Sequence, residues 1–253
     1  MTVKELYEKI SLSVPETLRE EWDNDGIMCS ADMSAEVKRV LLSLDVTEEI
    51  VDYAIERSYD LIISHHPLVF RPICAVNETN NVSRKIIKLI NNGISVFSFH
   101  TRADKVRGGV NDCLAKILGL NNTVPFGEGG MGRVGYLNAE LEFDVFAEQV
   151  KSSLGADNIR IANGYNTVKK VAVLGGDGKD FVLDAIKTGA DTYVSGRISY
   201  NLMEEAAELG INLVEAGHYF TEAPVLNFFA ELISAADISV TVDFADSNMI
   251  EII

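Results

Sequence analysis

The stretch at 37–64, VKRVLLSLDVTEEIVDYAIERSYDLIIS, decides the fold. An apolar run of strand length, VKRVLLSL at 37–44, is followed by helical spacing of apolar residues over 47–58 and by a second short run, DLIIS at 60–64. A helix over 83–92 and the run ISVFSF at 94–99 extend this to βαβαβ. Strands that alternate with helices pair in parallel, and their functional residues gather in the loops beyond the strands' carboxyl ends.

The same order returns later. VKKVAVLG at 168–175, a helix over 178–188, DTYVS at 191–195, a helix over 199–209 and INLVEA at 211–216 form a second unit. Aligned without gaps, 37–64 and 168–195 share eight identities over 28 positions, among them Val40/Val171, Asp60/Asp191 and Ser64/Ser195. An internal repeat is therefore expected. MGRVGYLN at 131–138 and a helix over 143–153 separate the units, a helix over 110–118 precedes them, and the chain closes with a helix over 223–236 and the runs ISVTVDF and NMIEII. The expected fold is α/β, with two lobes of related βαβ topology and mixed, mainly parallel sheets. The lobes are expected at 1–125 plus 220–253 and at 126–219.

Composition narrows the function. The 22 Lys and Arg against 38 Asp and Glu give a net charge of −16, which argues against nucleic acid or an anionic membrane as partner. The amphipathic start MTVKELYEKISLSVPE does not read as a secretory signal, and no apolar run approaches the roughly 18 residues of a membrane span. Cys29, Cys74 and Cys113 form no CxxC pair, which fits buried thiols in a reducing cytoplasm.

The chemistry lies in the histidines. All four, His65, His66, His100 and His218, fall just past the carboxyl end of an expected strand. His100 and His218 each open an H-x-x-x-acid pattern that ends at Asp104 and Glu222. Imidazole and carboxylate without thiolate suit zinc, manganese, iron, cobalt or nickel in an open site. Neighbouring strand residues point to opposite faces, so His65 and His66 are expected to splay toward two ions about 3.5–4 Å apart unless the backbone turns between them. Two such ions would make a local positive centre that activates water near pH 7 and attracts phosphate or a developing oxyanion. Pro67 ends the strand, and Lys105, Arg107, Gly108 and Gly109 read either as anion contacts before a helix or as a solvated loop.

Four motifs together resemble the GTP cyclohydrolase 1 type 2 family, also called the NIF-three-like proteins: WDNDGI at 22–27, DLIISHHPLVF at 60–70, HTRADKVRGGVND at 100–112 and AGHYFTE at 216–222. The resemblance spans the whole chain and matches the family's short form, without an inserted domain. It implies that His65, His66, Asp104, His218 and Glu222 are the ligands of a dinuclear metal site, with Glu222 touching both ions. It also implies a homohexameric ring, and a proton-transfer or supporting role for His100. The family name implies a hydrolase whose metal-bound hydroxide attacks a small heterocyclic or phosphorylated substrate. Ser195-Gly196-Arg197 and Tyr200-Asn201 stand where relatives commonly carry an acidic residue and a histidine. That departure leaves open a non-catalytic metal-binding ring with a regulatory, chaperone or metal-handling role.

Overall fold

The computed structural model describes residues 1–250. In chain order its elements are α1 (Val3–Ser13), β1 (Gly26–Cys29), β2 (Arg39–Ser43), α2 (Glu48–Glu56), β3 (Leu61–Ser64), α3 (Asn81–Asn91), β4 (Ser95–Ser98) and α4 (Thr101–Lys105). There follow α5 (Val110–Ile117), β5 (Asn121–Phe126), β6 (Gly132–Leu141), α6 (Phe143–Leu154), β7 (Arg160–Ala162), β8 (Val168–Asp177), α7 (Val182–Lys187), β9 (Thr192–Arg197) and α8 (Tyr200–Glu208). The chain ends with β10 (Asn212–Glu215), α9 (His218–Glu222), α10 (Val225–Ala236) and β11 (Thr241–Phe244). The expected βαβαβ pattern is present twice, as β2-α2-β3-α3-β4 and as β8-α7-β9-α8-β10. Of the closing run NMIEII, residues 248–250 form no strand, and the rest lies outside the described residues.

Two compact units result, one of Met1–Val106 with Val225–Met249 and one of Arg107–Pro224. The junctions thus fall at 106/107 and 224/225, where the sequence suggested 125/126 and 219/220. The difference has a physical cause: β5 is hydrogen-bonded to β6, and α5 and α9 pack on β8, so all three are held in the second unit.

The first unit is built on a sheet of order β1-β4-β3-β2-β11. Its β2, β3, β4 and β11 run parallel, and β1 is antiparallel to β4. Thr47 caps α2 by accepting from the Ile50 amide, which starts the crossover helix where the sequence begins its helical spacing. On one face Leu41, Ile62 and Val96 pack against Val51 and Ala54 of α2 and Leu89 of α3. The central strands β2, β3 and β4 are buried on both faces, which explains their unbroken apolar runs.

The second unit is built on a sheet of order β5-β6-β8-β9-β10-β7, parallel from β8 to β10 and antiparallel at both flanks. Alternation along β8 fills two cores. Val171 and Val173 face α5 and α6, while Ala172 and Leu174 face α7 and α8.

Register establishes the repeat. Val40 pairs with Leu61 and Ser43 with Ser64, and the aligned residues Val171 and Leu174 pair with Thr192 and Ser195. Asp60 Oδ2 accepts from the amides of Lys38 and Arg39, both at 2.8 Å; Asp191 Oδ2 accepts from Lys169 and Lys170 at 2.9 and 2.7 Å. One carboxylate in each unit therefore ties the start of the first strand to the start of the second.

Candidate metal centre

In the first unit the parallel strands end on one side with their histidines. His65 and His66 follow β3, His100 follows β4, and one ring nitrogen from each lies within 4.8 Å of the others. The chain bends at 65–66, and the His66 amide donates to the Leu44 carbonyl at 2.9 Å. The two rings stand 5.0 Å apart and are tilted by 47°. Asp104 arrives from the last turn of α4, its Oδ1 3.6 Å from His65 Nε2.

Each of the three imidazoles is held through Nδ1. His65 Nδ1 donates to the Phe99 carbonyl at 2.9 Å, His66 Nδ1 to Asp45 Oδ1 at 2.8 Å, and His100 Nδ1 to Asp23 Oδ1 at 2.8 Å. An oxygen acceptor opposite Nδ1 fixes the proton there and leaves the lone pair on Nε2. Acceptors placed behind histidines in this way orient metal ligands and raise their basicity.

Asp23 is itself braced. Its Oδ2 accepts from the Thr101 amide at 3.1 Å and from the Thr101 hydroxyl at 2.6 Å. Burial works against its charge, but the hydrogen bond and charge of His100 and the bonds from Thr101 outweigh it, so the carboxyl falls to about 2. Two residues on, the Asp25 carboxylate accepts from Arg102 Nε at 3.0 Å and from the His100 amide at 3.1 Å. Burial raises the Asp25 pKa, with the Arg102 charge opposing it. The His100 imidazole is likewise pulled down by burial, yet Asp23 and Asp104 leave its pKa above the ordinary value of 6.5.

Two exposed rings flank this cluster. Trp22 and Phe70 lie 6.2 Å apart, and each stands edge-on to His100, at 6.1 and 6.0 Å. They are 63% and 46% exposed, which is unusual for such large apolar groups and leaves their faces open to a planar ligand.

In the second unit, His218 opens α9 and Glu222 closes it, with His218 Nε2 2.9 Å from Glu222 Oε2. Spacing of i, i+4 puts both on one helix face. The short helix is seated on glycines. A Cβ on Gly176 would lie 2.0 Å from Glu222 Oε1, and one on Gly196 would lie 2.6 Å from Thr221 Oγ1. Thr221 Oγ1 accepts from the Gly176 amide at 3.1 Å, and Asn111 Oδ1 accepts from the Gly175 amide at 2.8 Å.

Imidazole nitrogens and carboxylate oxygens in both units fit divalent transition ions, and none of the described clusters contains a cysteine. Burial pushes the Cys29 thiol up to about 12, so it is no thiolate. The structure brings one ring nitrogen each of His65, His66 and His100 together, sets Asp104 beside His65, and sets His218 beside Glu222. The sequence reading did not find Asp45 or the role of Asp23. Asp45 shares the histidines' address just past a strand end, which was the available signal. Two of the anion contacts considered at 105–109 are engaged internally: Lys105 pairs with Glu20, and the Gly108 amide donates to Asp112 Oδ2 at 2.8 Å. No helix among the described residues is long and apolar enough to cross a membrane.

The Duf34/NIF3 (NGG1p interacting factor 3) family model matches residues 1–250. The chain belongs to this family. A GTP cyclohydrolase 1 type 2 homolog of Clostridium perfringens is 39% identical over 233 residues, covering 89% of this chain and 88% of the relative. A homolog of the same name from Clostridium acetobutylicum is 34% identical over 232 residues, covering 88% and 86%. Among solved structures, a Bacillus cereus protein related to NIF3 superposes with a TM-score of 0.88 at 26% identity, covering 100% of this chain and 99% of that one. Against that Duf34/NIF3 background the WDNDGI motif has a physical meaning here: Asp23 serves His100, and Asp25 serves Arg102.

Proposed function

We propose that this Duf34/NIF3 protein binds two divalent metal ions and uses them to hydrolyse a small heterocyclic or phosphorylated substrate. By resemblance, His65, His66, Asp104, His218 and Glu222 would hold the ions. The observation that carries the reading is the set of three Nδ1-anchored imidazoles, because a purely structural histidine does not need its second nitrogen presented beside two others. A bound ion pair supplies Lewis-acid polarisation and activation of a nucleophile. The chain's own residues do the rest. Asp23 keeps the Nδ1 proton of His100 in place, and Trp22 and Phe70 offer aromatic faces on which a planar heterocycle can stack. The names of the two clostridial relatives support the substrate class, and the resemblance of the whole chain supports assembly as a homohexamer.

Metal analysis of the purified protein tests the shared premise. About two equivalents per chain are expected, falling in His66→Ala; one equivalent or fewer, unaltered by that change, would refute it. A screen of nucleotides and phosphoesters with added manganese or zinc then tests turnover. Metal binding without any metal-dependent turnover would instead favour the metal-handling role, toward which the exposed Arg197 and Asn201 point. Light scattering tests the hexamer, and a monomer would overturn it.

A further inference from the structure

We infer that the second unit carries a binding site of its own, a cleft between α5 and the β5–β6 edge that takes a small anion with two or more linked phosphoryl groups, such as a nucleoside polyphosphate. None of the lining residues belongs to a histidine cluster, so the cleft does not depend on the metal-binding reading above.

The cleft encloses about 720 Å³, a volume within the range of small-molecule sites. Asp112, Ala115 and Lys116 form one wall, at the i, i+3, i+4 spacing of a single face of α5. Asn121 of β5, the outermost strand of its sheet, and Asn138 of β6 lie opposite. The charge of the cleft is positive. Arg107 and Lys116 are exposed and, among the described residues, have no carboxylate partner. The one lining carboxylate among the described residues is already neutralised: Asp112 accepts from Arg133 Nε at 2.8 Å and from its Nη2 at 3.2 Å. In a chain of net charge −16, two uncommitted cations without a competing acid are a local exception that attracts anions. Arg107 is also the cation left over from the contacts read at 105–109, since Lys105 pairs with Glu20. It precedes α5, whereas Lys116 lies in the last turn, so their backbones stand on the order of 10 Å apart along the cleft. Linked phosphoryl groups span that separation better than a single phosphate. Asn121 Nδ2 donates to Asn138 Oδ1 at 3.1 Å, which commits the Asn138 oxygen and leaves its Nδ2 to donate to a ligand.

The test is isothermal titration calorimetry of the full-length, chelator-treated His66→Ala chain at low salt, with inorganic pyrophosphate, ATP and inorganic phosphate as probes. Removing metal and a histidine keeps phosphate binding at the metal centre out of the signal. Pyrophosphate and ATP should bind once per chain, at least tenfold more tightly than phosphate. Arg107→Gln and Lys116→Gln should each weaken pyrophosphate binding about 10- to 100-fold, the worth of a hydrogen bond to a charged group. Lys187→Gln, which removes an exposed lysine outside the cleft, should leave it unchanged. All three side chains lie at the surface, so the variants should keep the melting temperature of their parent. No binding of either polyphosphate, equal affinity for pyrophosphate and phosphate, or an equal loss in Lys187→Gln would overturn the inference. None of these outcomes touches the metal content of the natural chain, on which the metal-binding reading stands or falls by itself.

Discussion

Arg102 Nε stands 3.0 Å from Asp25 Oδ2 with both side chains wholly removed from solvent. The guanidinium also donates to the Val14 carbonyl at 3.1 Å and to the Tyr7 hydroxyl at 3.2 Å, and lies 4.5 Å over the Phe99 ring. The pair fastens the loop before β1 to the turn after β4, and so fixes the distance between Asp23 and His100. Removing one partner leaves the other's charge buried. Arg102→Met should therefore cost about 3–5 kcal/mol, and adding Asp25→Asn should recover part of it. Urea denaturation measures both; a loss under about 1 kcal/mol for Arg102→Met would contradict the role.

Asp23 predicts an acid limit for the chelator-treated chain. Its folded pKa of about 2 lies below the ordinary value of 3.8, so its stabilisation is present above pH 3.8 and is lost as pH falls through about 2. The amount is about 2 kcal/mol. His100 has the opposite sign: its pKa is raised above 6.5, so its contribution is complete below pH 6.5 and fades as pH rises through the folded value. In Asp23→Asn both slopes should flatten together in chemical denaturation run across pH. Flattening of one slope alone would separate the two groups and refute their coupling.

Gly176 predicts a local steric failure. At φ +68 an added Cβ is strained and would overlap the Glu222 carboxylate, 2.0 Å away. Gly155 has a similar φ of +64 but nothing within 4 Å of its would-be Cβ. Gly155→Ala should thus cost only the backbone strain, about 1 kcal/mol. Gly176→Ala should cost more and also reduce bound metal. Equal melting temperatures and equal metal content in the two variants would contradict this.

The paired carboxylates predict paired costs. Asp60→Ala and Asp191→Ala each leave two backbone amides of a strand start without their acceptor, and each should destabilise by about 1–3 kcal/mol. Guanidinium denaturation that finds one costly and the other neutral would show that the shared geometry does not carry shared energy.

Much of this was legible in the chain because buried parallel strands leave strong marks. Apolar runs such as LIIS and SVFS read directly as β3 and β4, and helical spacing located α2 and α6. The strands that escaped notice had little to show. β5 is exposed along most of its length and contains Pro125, β7 has three residues, and β1 has four with a bulge against β4. The five-residue helices α4 and α9 are too short to display a period.

The site divides in the same way. Histidines at strand ends could be found from position alone. Their acceptors could not: Asp23 lies 77 residues from His100, and Asp45 lies 21 residues from His66. Only closure of the sheet brings them together. The Phe99 carbonyl behind His65 is a backbone atom, which no residue type in the sequence announces.

The glycine seat under α9 has a wider consequence. By the internal alignment Gly176 and Gly196 stand where the first unit has Asp45 and His65, so the duplicated positions have been spent in incompatible ways. One copy fills them with polar side chains; the other keeps them bare so that a helix can lie down. A histidine grafted onto position 196 would strike Thr221 before it could meet a metal. The two halves share a plan but have lost the freedom to trade roles, and no single substitution restores it.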